Sequence, residues 1–206
     1  AEFKTVQQLL DARGISYEWT CSERPGHAAE LAKAAADRGF PCVVAVGGDG
    51  TVNEVASALV NRETALGVLP FGTGNDLRRT VGFPCEPERA LEALLHGRVV
   101  RMDAGEANGM VFANVAGLGF DVDVLVQTQK YKQRYPRGMI SYLLGILGAL
   151  KHLRSFDMTI EHDGERIETA GILLSVGNGQ YIGGGMRALP MADPFDGYLD
   201  CMYVDR

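Results

Sequence analysis

The sequence predicts an α/β fold in two parts. An N-terminal parallel-sheet domain suited to binding a nucleotide is followed by a β-rich antiparallel domain, with the active site in the cleft between them. Three observations lead there. Short apolar runs alternate with helical patterns through the first 97 residues, as in a parallel sheet built from β–α units. Two glycine-rich turns, Gly47-Gly48-Asp49-Gly50-Thr51 and Gly72-Thr73-Gly74-Asn75-Asp76, each follow such a run and open a helical pattern. From Arg98 onward the pattern changes to strands joined by the tight-turn pairs Asn108-Gly109 and Asp163-Gly164.

In chain order, Val6, Leu9, Leu10 and Arg13 mark a first helix ending at Gly14, and Ile15 to Cys21 read as a strand. Gly26 opens an alanine-rich helix through Asp37, closed by Gly39, and a strand at 42–46 feeds the first glycine turn. The next helix carries Val52, Val55, Ala56, Leu59 and Val60 as one apolar stripe. A strand at 66–69, the second turn, a short helix to Val81 and another near 86–96 complete a domain spanning 1–97. In the remainder, 98–206, Val99 to Glu106 and Met110 to Ala116 form a hairpin. A helical region follows, interrupted at Pro136-Arg137-Gly138, with an apolar helix at 139–153 after it. Phe156 to His162 and Glu165 to Val176 form a second hairpin, and Leu199 to Val204 one more strand.

Composition narrows the function classes. A net charge of −6 argues against nucleic acid as a partner. One local exception is the cluster Lys130, Lys132, Arg134 and Arg137, interleaved with Tyr131 and Tyr135. It reads as a solvated face, with contact to lipid headgroups as the minority alternative. Cys21, Cys42, Cys85 and Cys201 form no C-x-x-C pair and no zinc-like spacing with the four histidines, so reduced thiols in a cytoplasmic protein are expected. Met139 to Leu150 is the most apolar stretch and is too short to cross a bilayer.

The two turns carry the chemistry. At the end of a parallel strand, a glycine turn lets a backbone approach phosphate oxygens, and the helix behind it points N–H groups at them. The Asp in each turn can meet a cation or a hydroxyl. Two such turns on one chain predict a nucleotide-phosphate site. The first is neither a dinucleotide fingerprint, because Asn53 stands where the third glycine belongs, nor a Walker A loop, because it lacks the Gly-Lys-Ser/Thr ending. The blander alternative for each is a capped strand-to-helix turn, with Thr51, Asn75 or Asp76 as the cap.

GGDGTVNEV (47–55) and PFGTGNDL (70–77) resemble the two nucleotide-site blocks of the diacylglycerol kinase catalytic family, which also contains sphingosine and ceramide kinases. Ser22 to Ala28, Tyr142 to Gly145, Gly177-Asn178-Gly179, Gly183 to Met186 and Ala192 to Asp200 carry the resemblance along nearly the whole chain. It implies transfer of the γ-phosphoryl group of ATP to a lipid hydroxyl, most simply diacylglycerol giving phosphatidic acid, with Mg²⁺. It implies that Ser22, Gly47, Gly48, Asp49, Gly50, Thr51, Val52, Asn53, Gly72, Thr73, Gly74 and Asn75 line the nucleotide, and that Asp49 and Asp76 organise its metal and the acceptor. Asp193, Asp196 and the carbonyl of Tyr198 match a second, structural Mg²⁺ site. The implied partners are a lipid substrate and a transient membrane surface, with a homodimer as a candidate assembly. Such an enzyme works in the cytoplasm, peripheral to the membrane.

The chain also departs from the family. It opens after the point where members carry a first strand and an Asn-Pro-x-Ser/Ala-Gly phosphate loop. It stops at Arg206, and the resemblance implies that the acidic residue proposed as general base lies beyond that position. The expectation is therefore an interior portion of a kinase, slow or inactive alone, with Asp76 or Asp49 the best remaining base. The alternatives are NAD-kinase-like phosphorylation of a soluble alcohol and a catalytically silent nucleotide-binding module.

Overall fold

The computed structural model describes residues 2–132 and 138–205. Arg134, Tyr135 and Arg137 of the basic cluster, with the break expected at Pro136, lie outside the described residues. Arg206 lies outside them too, as does any general base expected beyond it, so the search for a base among the described residues falls to Asp49 and Asp76.

The first half opens with α1 (Glu2–Ala12) and α2 (His27–Asp37). It continues with β1 (Cys42–Gly47), α3 (Asp49–Leu59), β2 (Ala65–Pro70), α4 (Asp76–Thr80) and α5 (Pro87–His96). β1 and β2 pair in parallel, from Cys42 opposite Ala65 to Gly47 opposite Pro70, so both glycine turns leave the same end of the sheet. Strand side chains alternate between two apolar clusters. Val43, Ala45, Leu66 and Val68 face α2 and α3, where Ala28, Ala32, Val52, Val55, Ala56 and Leu59 are buried. Val46 and Leu69 face Val6 of α1 and Ala90 of α5. Helices therefore cover both faces, as the alternating pattern predicts.

Ile15 to Cys21 is not a strand. The segment is held by side chains instead: Tyr17 Oη donates to Asp11 and Glu18 pairs with Arg38. A segment with strand propensity becomes a strand only where a neighbour offers its ladder, and none pairs with this segment among the described residues.

The second half contains β3 (Gly105–Ala107), β4 (Met110–Phe112), β5 (Val115–Gly119), α6 (Phe120–Lys132) and α7 (Gly138–Leu150). Then come β6 (Phe156–His162), β7 (Glu165–Gly177), β8 (Tyr181–Ile182), β9 (Met186–Arg187) and β10 (Asp200–Asp205). Both two-residue turns form as predicted, with positive φ at Asn108, Gly109, Asp163 and Gly164. The first hairpin is shorter than expected. Residues 99–104 leave the ladder because the Asp103 N–H goes to Pro194 O at 2.8 Å. The run from Met110 breaks into β4 and β5 at Ala113-Asn114, whose backbone groups bond to Asn53, Asn178 and Gly179. β7 is the spine of an antiparallel sheet. Gly171 pairs with Phe156 on one side and Asp205 on the other, so β6 and β5 share one edge end to end and β10 takes the other. α6 and α7 pack as a close hairpin, with Ser141 and Ala149 fully buried; a Cβ at Gly145 would collide with Thr128.

Candidate active site

The two glycine turns lie back to back at the end of the parallel pair. A Cβ added to Gly48 would stand 3.0 Å from Gly72 Cα, and one on Gly74 would stand 2.6 Å from Asp49 Oδ2. Glycine is required here for space, since none of the three has a positive φ. Asp49 locks the turns together: Oδ2 accepts the Asn75 N–H at 2.7 Å and Oδ1 the Asp76 N–H at 2.6 Å. Asn75, itself at φ 52°, folds back over its own turn, accepting from Gly72 N at 2.9 Å and donating to Gly72 O at 2.7 Å.

The helix starts around these turns differ. The first amides of α2 are occupied by Glu54 of α3, whose carboxylate accepts from Gly26 N at 2.9 Å and Ala28 N at 3.1 Å. The start of α3, with Gly48 at the cap, has no side-chain cap. An 11-residue helix with an uncapped positive end, entered through Gly47-Gly48, suits an external anion.

Asp76 is 6% exposed, at the start of α4. Its Oδ2 accepts the Gly184 N–H at 2.9 Å, which joins the second turn to the glycine run after β8. Oδ1 is buried with no hydrogen-bond partner, and Arg79 Nε lies 3.9 Å from it. Burial raises the Asp76 pKa, and the nearby Asp49 charge adds to the rise; the Gly184 N–H and Arg79 oppose it. This carboxylate therefore holds a proton more readily than an ordinary aspartate.

Other predicted residues divide by what their side chains do. Val52 is buried in the core, so only its backbone can face a ligand. Asn53 turns toward the second half, accepting from Ala113 N at 3.0 Å. Thr51 covers Gly47, where an added Cβ would lie 2.8 Å from Oγ1. Gly50 and Thr73 are exposed, and Ser22 is exposed on the segment leading to α2.

The loop at 193–198 lies elsewhere. Asp193 Oδ1 accepts from Phe195 N at 3.1 Å and Asp196 Oδ1 from Tyr198 N at 2.9 Å, two local turns that leave both residues exposed. Asp103 anchors the loop through Pro194 O and the Gly197 N–H. No group of three His, Cys, Asp or Glu suited to a metal occurs among the described residues. A cation at this loop would therefore depend on carbonyl oxygens such as that of Tyr198, an oxygen-only set that suits a hard ion.

Sequence reasoning missed three features here. Asn178, set between Gly177 and Gly179, is fully buried. It donates to Asp103 O at 2.6 Å and Ala113 O at 3.0 Å, which ties the 193–198 loop through Ala113 and Asn53 to α3. Asp121, at the start of α6, accepts from Ser175 Oγ at 2.7 Å, and burial raises its pKa. Tyr142 of α7 approaches the glycine run closely: a Cβ at Gly183 would lie 2.8 Å from its hydroxyl. Burial comes first in raising the Tyr142 pKa, and the charges of Asp121 and Asp76 add to it.

Comparison with known proteins places the chain in a family and a fold. The family model described as the diacylglycerol kinase catalytic domain matches residues 1–107. A second, the YegS C-terminal NAD kinase beta sandwich-like domain, matches residues 114–206. A diacylglycerol kinase of Bacillus subtilis (strain 168) is 35% identical over 205 residues, 98% of this chain and 67% of its own length. A protein of Cronobacter sakazakii named "Probable lipid kinase YegS-like" is 34% identical, covering 93% of this chain and 66% of its own. A crystal structure of a diacylglycerol kinase from Bacillus anthracis str. Sterne superposes with a TM-score of 0.69 at 28% identity, over 89% of this chain and 61% of that one. The chain thus spans about two thirds of the length of the curated relatives it matches.

Proposed function

Given that this chain belongs to the diacylglycerol kinase catalytic-domain family, we propose that it forms the nucleotide and acceptor cleft of an ATP-dependent lipid kinase. Diacylglycerol is the acceptor in this reading and phosphatidic acid the product. We place the boundary between its two units near Gly97.

One observation carries the proposal. The uncapped start of α3, braced by the Asp49 clamp, sits beside a buried carboxylate with one unpartnered oxygen. The amides of α3 and the Gly47-Gly48 and Gly72 to Gly74 backbone would hold the ATP phosphates. Asp76 Oδ1 would receive the proton of the acceptor hydroxyl as its oxygen attacks the γ-phosphorus and the bond to the β,γ-bridging oxygen breaks, releasing ADP. A raised pKa makes Asp76 the better base, whereas both oxygens of Asp49 already accept backbone N–H groups. The phosphates, with Asp76 acting through a bound water, would hold Mg²⁺, which neutralises charge on the phosphoryl oxygens when bound. Asp193, Asp196 and the Tyr198 carbonyl would hold a second, structural Mg²⁺.

The test is ATP-dependent phosphorylation of diacylglycerol, sphingosine and NAD by the full-length parent of this chain, with Asp76→Asn alongside. Label in diacylglycerol that disappears in the variant supports the reading. Label only in NAD would transfer the site to soluble-alcohol kinases, and nucleotide binding with no label in any acceptor would make it a silent nucleotide-binding module.

A further inference from the structure

Gly183, Gly184 and Gly185 stand at φ 63°, 92° and 116°, three consecutive positive-φ residues between β8 and β9. Glycine alone adopts such a run readily, and its backbone lies bare to whatever packs on it. Three elements close on this one. A Cβ at Gly183 would lie 2.8 Å from the Tyr142 hydroxyl of α7. One at Gly184 would lie 3.7 Å from Gly74 Cα of the second turn, and one at Gly185 3.4 Å from Arg79 Cζ of α4. The Gly184 N–H meanwhile holds Asp76 Oδ2 at 2.9 Å. Tyr142 and Asp76 therefore adjoin neighbouring residues of the run, whose Cα atoms are about 3.8 Å apart.

The polar groups here differ in what they have left to bond. Arg79 Nε donates to Gly74 O at 3.3 Å, and Asp121 Oδ2 accepts from Ser175 Oγ at 2.7 Å. Asp76 Oδ1 is buried without a hydrogen-bond partner, and the half-buried Tyr142 hydroxyl has none among the described residues. Burial, then the Asp121 and Asp76 charges, raise the phenol pKa, so Tyr142 stays protonated and can donate at neutral pH. A free acceptor and a free donor thus border one short stretch of backbone. An acceptor alcohol fills the first by giving its O–H to Asp76. The second calls for an oxygen lone pair close by on the same molecule. In a diacylglycerol, the carbonyl of the ester on the adjacent carbon supplies it.

We propose that Tyr142 determines acceptor specificity, its hydroxyl donating to the ester carbonyl next to the acceptor hydroxyl of a diacylglycerol. Asp76 engages the hydroxyl that reacts, and Tyr142 reads the carbon beside it. The phenol takes no proton and forms no covalent bond; it fixes which way round the glycerol enters. The inference deepens the lipid-kinase reading and rests on it for the identity of the acceptor, but binding alone can measure it.

The experiment compares the full-length parent of this chain with Tyr142→Phe, which keeps the ring against Gly183 and removes only the hydroxyl. The ligands are dihexanoylglycerol and the matching dihexyl glycerol diether, both as monomers. The diether keeps the free hydroxyl and lacks both carbonyls. Affinity is measured by calorimetric titration without ATP, and kcat/KM with it. Loss of one neutral hydrogen bond should lower affinity and kcat/KM for the ester about three- to tenfold more than for the diether. A purely structural role for the phenol would weaken both ligands alike.

Equal losses on the two ligands, or no loss on either, overturn the assignment even if both lipids are phosphorylated. A loss of binding confined to the ester, with no turnover of any lipid by the parent, upholds Tyr142 and sinks the kinase reading instead. A parent that neither binds nor phosphorylates the two ligands overturns both.

Discussion

Replacing Asp49 tests whether it is a nucleotide ligand or a structural clamp. Its two oxygens accept backbone N–H groups at 2.6 and 2.7 Å, both from the opposite turn. Each is a charge-assisted bond, with a net contribution of about 1.5–3 kcal/mol. In Asp49→Ala, water reaches part of this half-buried site and recovers some of that, which leaves an expected loss of about 2–4 kcal/mol. For a chain of this length the loss lowers the melting temperature by about 5–15 °C. Asp49→Asn keeps one acceptor but sets an NH₂ group against a backbone N–H, so it should cost about half as much. The assay is thermal unfolding by circular dichroism with no nucleotide present, paired with calorimetric titration of ATP. A destabilised variant that binds ATP more weakly in proportion supports the clamp. The reasoning is refuted by an Asp49→Ala protein that melts within about 1 °C of the parent yet no longer binds ATP.

Three other outcomes follow from the same geometry. Burial raises the Asp76 pKa above its ordinary value of 3.8, so the penalty for ionising it is absent below that value and complete above the raised one. Asp76→Asn should therefore be at least as stable as the parent at pH 7 and lose that advantage on acidification, while activity falls by about 10²–10⁴. Paired pH–melting curves and a turnover assay check this. Asn178→Asp removes two buried donors and introduces a buried charge, and should cost about 3 kcal/mol or more in denaturant unfolding. Gly72→Ala has no backbone-angle penalty but drives a methyl into Gly48. A loss of about 1–3 kcal/mol and weaker ATP binding are expected by the same two assays.

What the sequence revealed was local chemistry. Asn108-Gly109 and Asp163-Gly164 announce their turns because a two-residue loop needs positive φ at both positions. The two sheet faces follow from alternation along Val43 to Val46 and Leu66 to Leu69. The glycine turns stood out because glycines adjoin strand ends, although the reason Gly48 and Gly72 must be glycine is the opposite turn, more than 20 residues away. Ile15 to Cys21 misled for the converse reason: propensity belongs to the segment, pairing to its neighbour. The roles of Asn178, Glu54 and Asp121 were hidden because their partners lie 26 to 75 residues away. The flanking glycines of Asn178 gave no sign that the amide between them is buried.

The hydrogen bond from Gly184 to Asp76 joins residues 108 apart. During synthesis the Asp49 clamp can close as soon as α4 has emerged, but the Asp76 carboxylate gains this partner only after most of the second half has left the ribosome. Contacts of such long sequence separation form late, because the intervening chain must be ordered first. The nascent first half can therefore present two clamped glycine turns beside an aspartate still open to water. The backbone partner of that aspartate arrives last, when the glycine run reaches it.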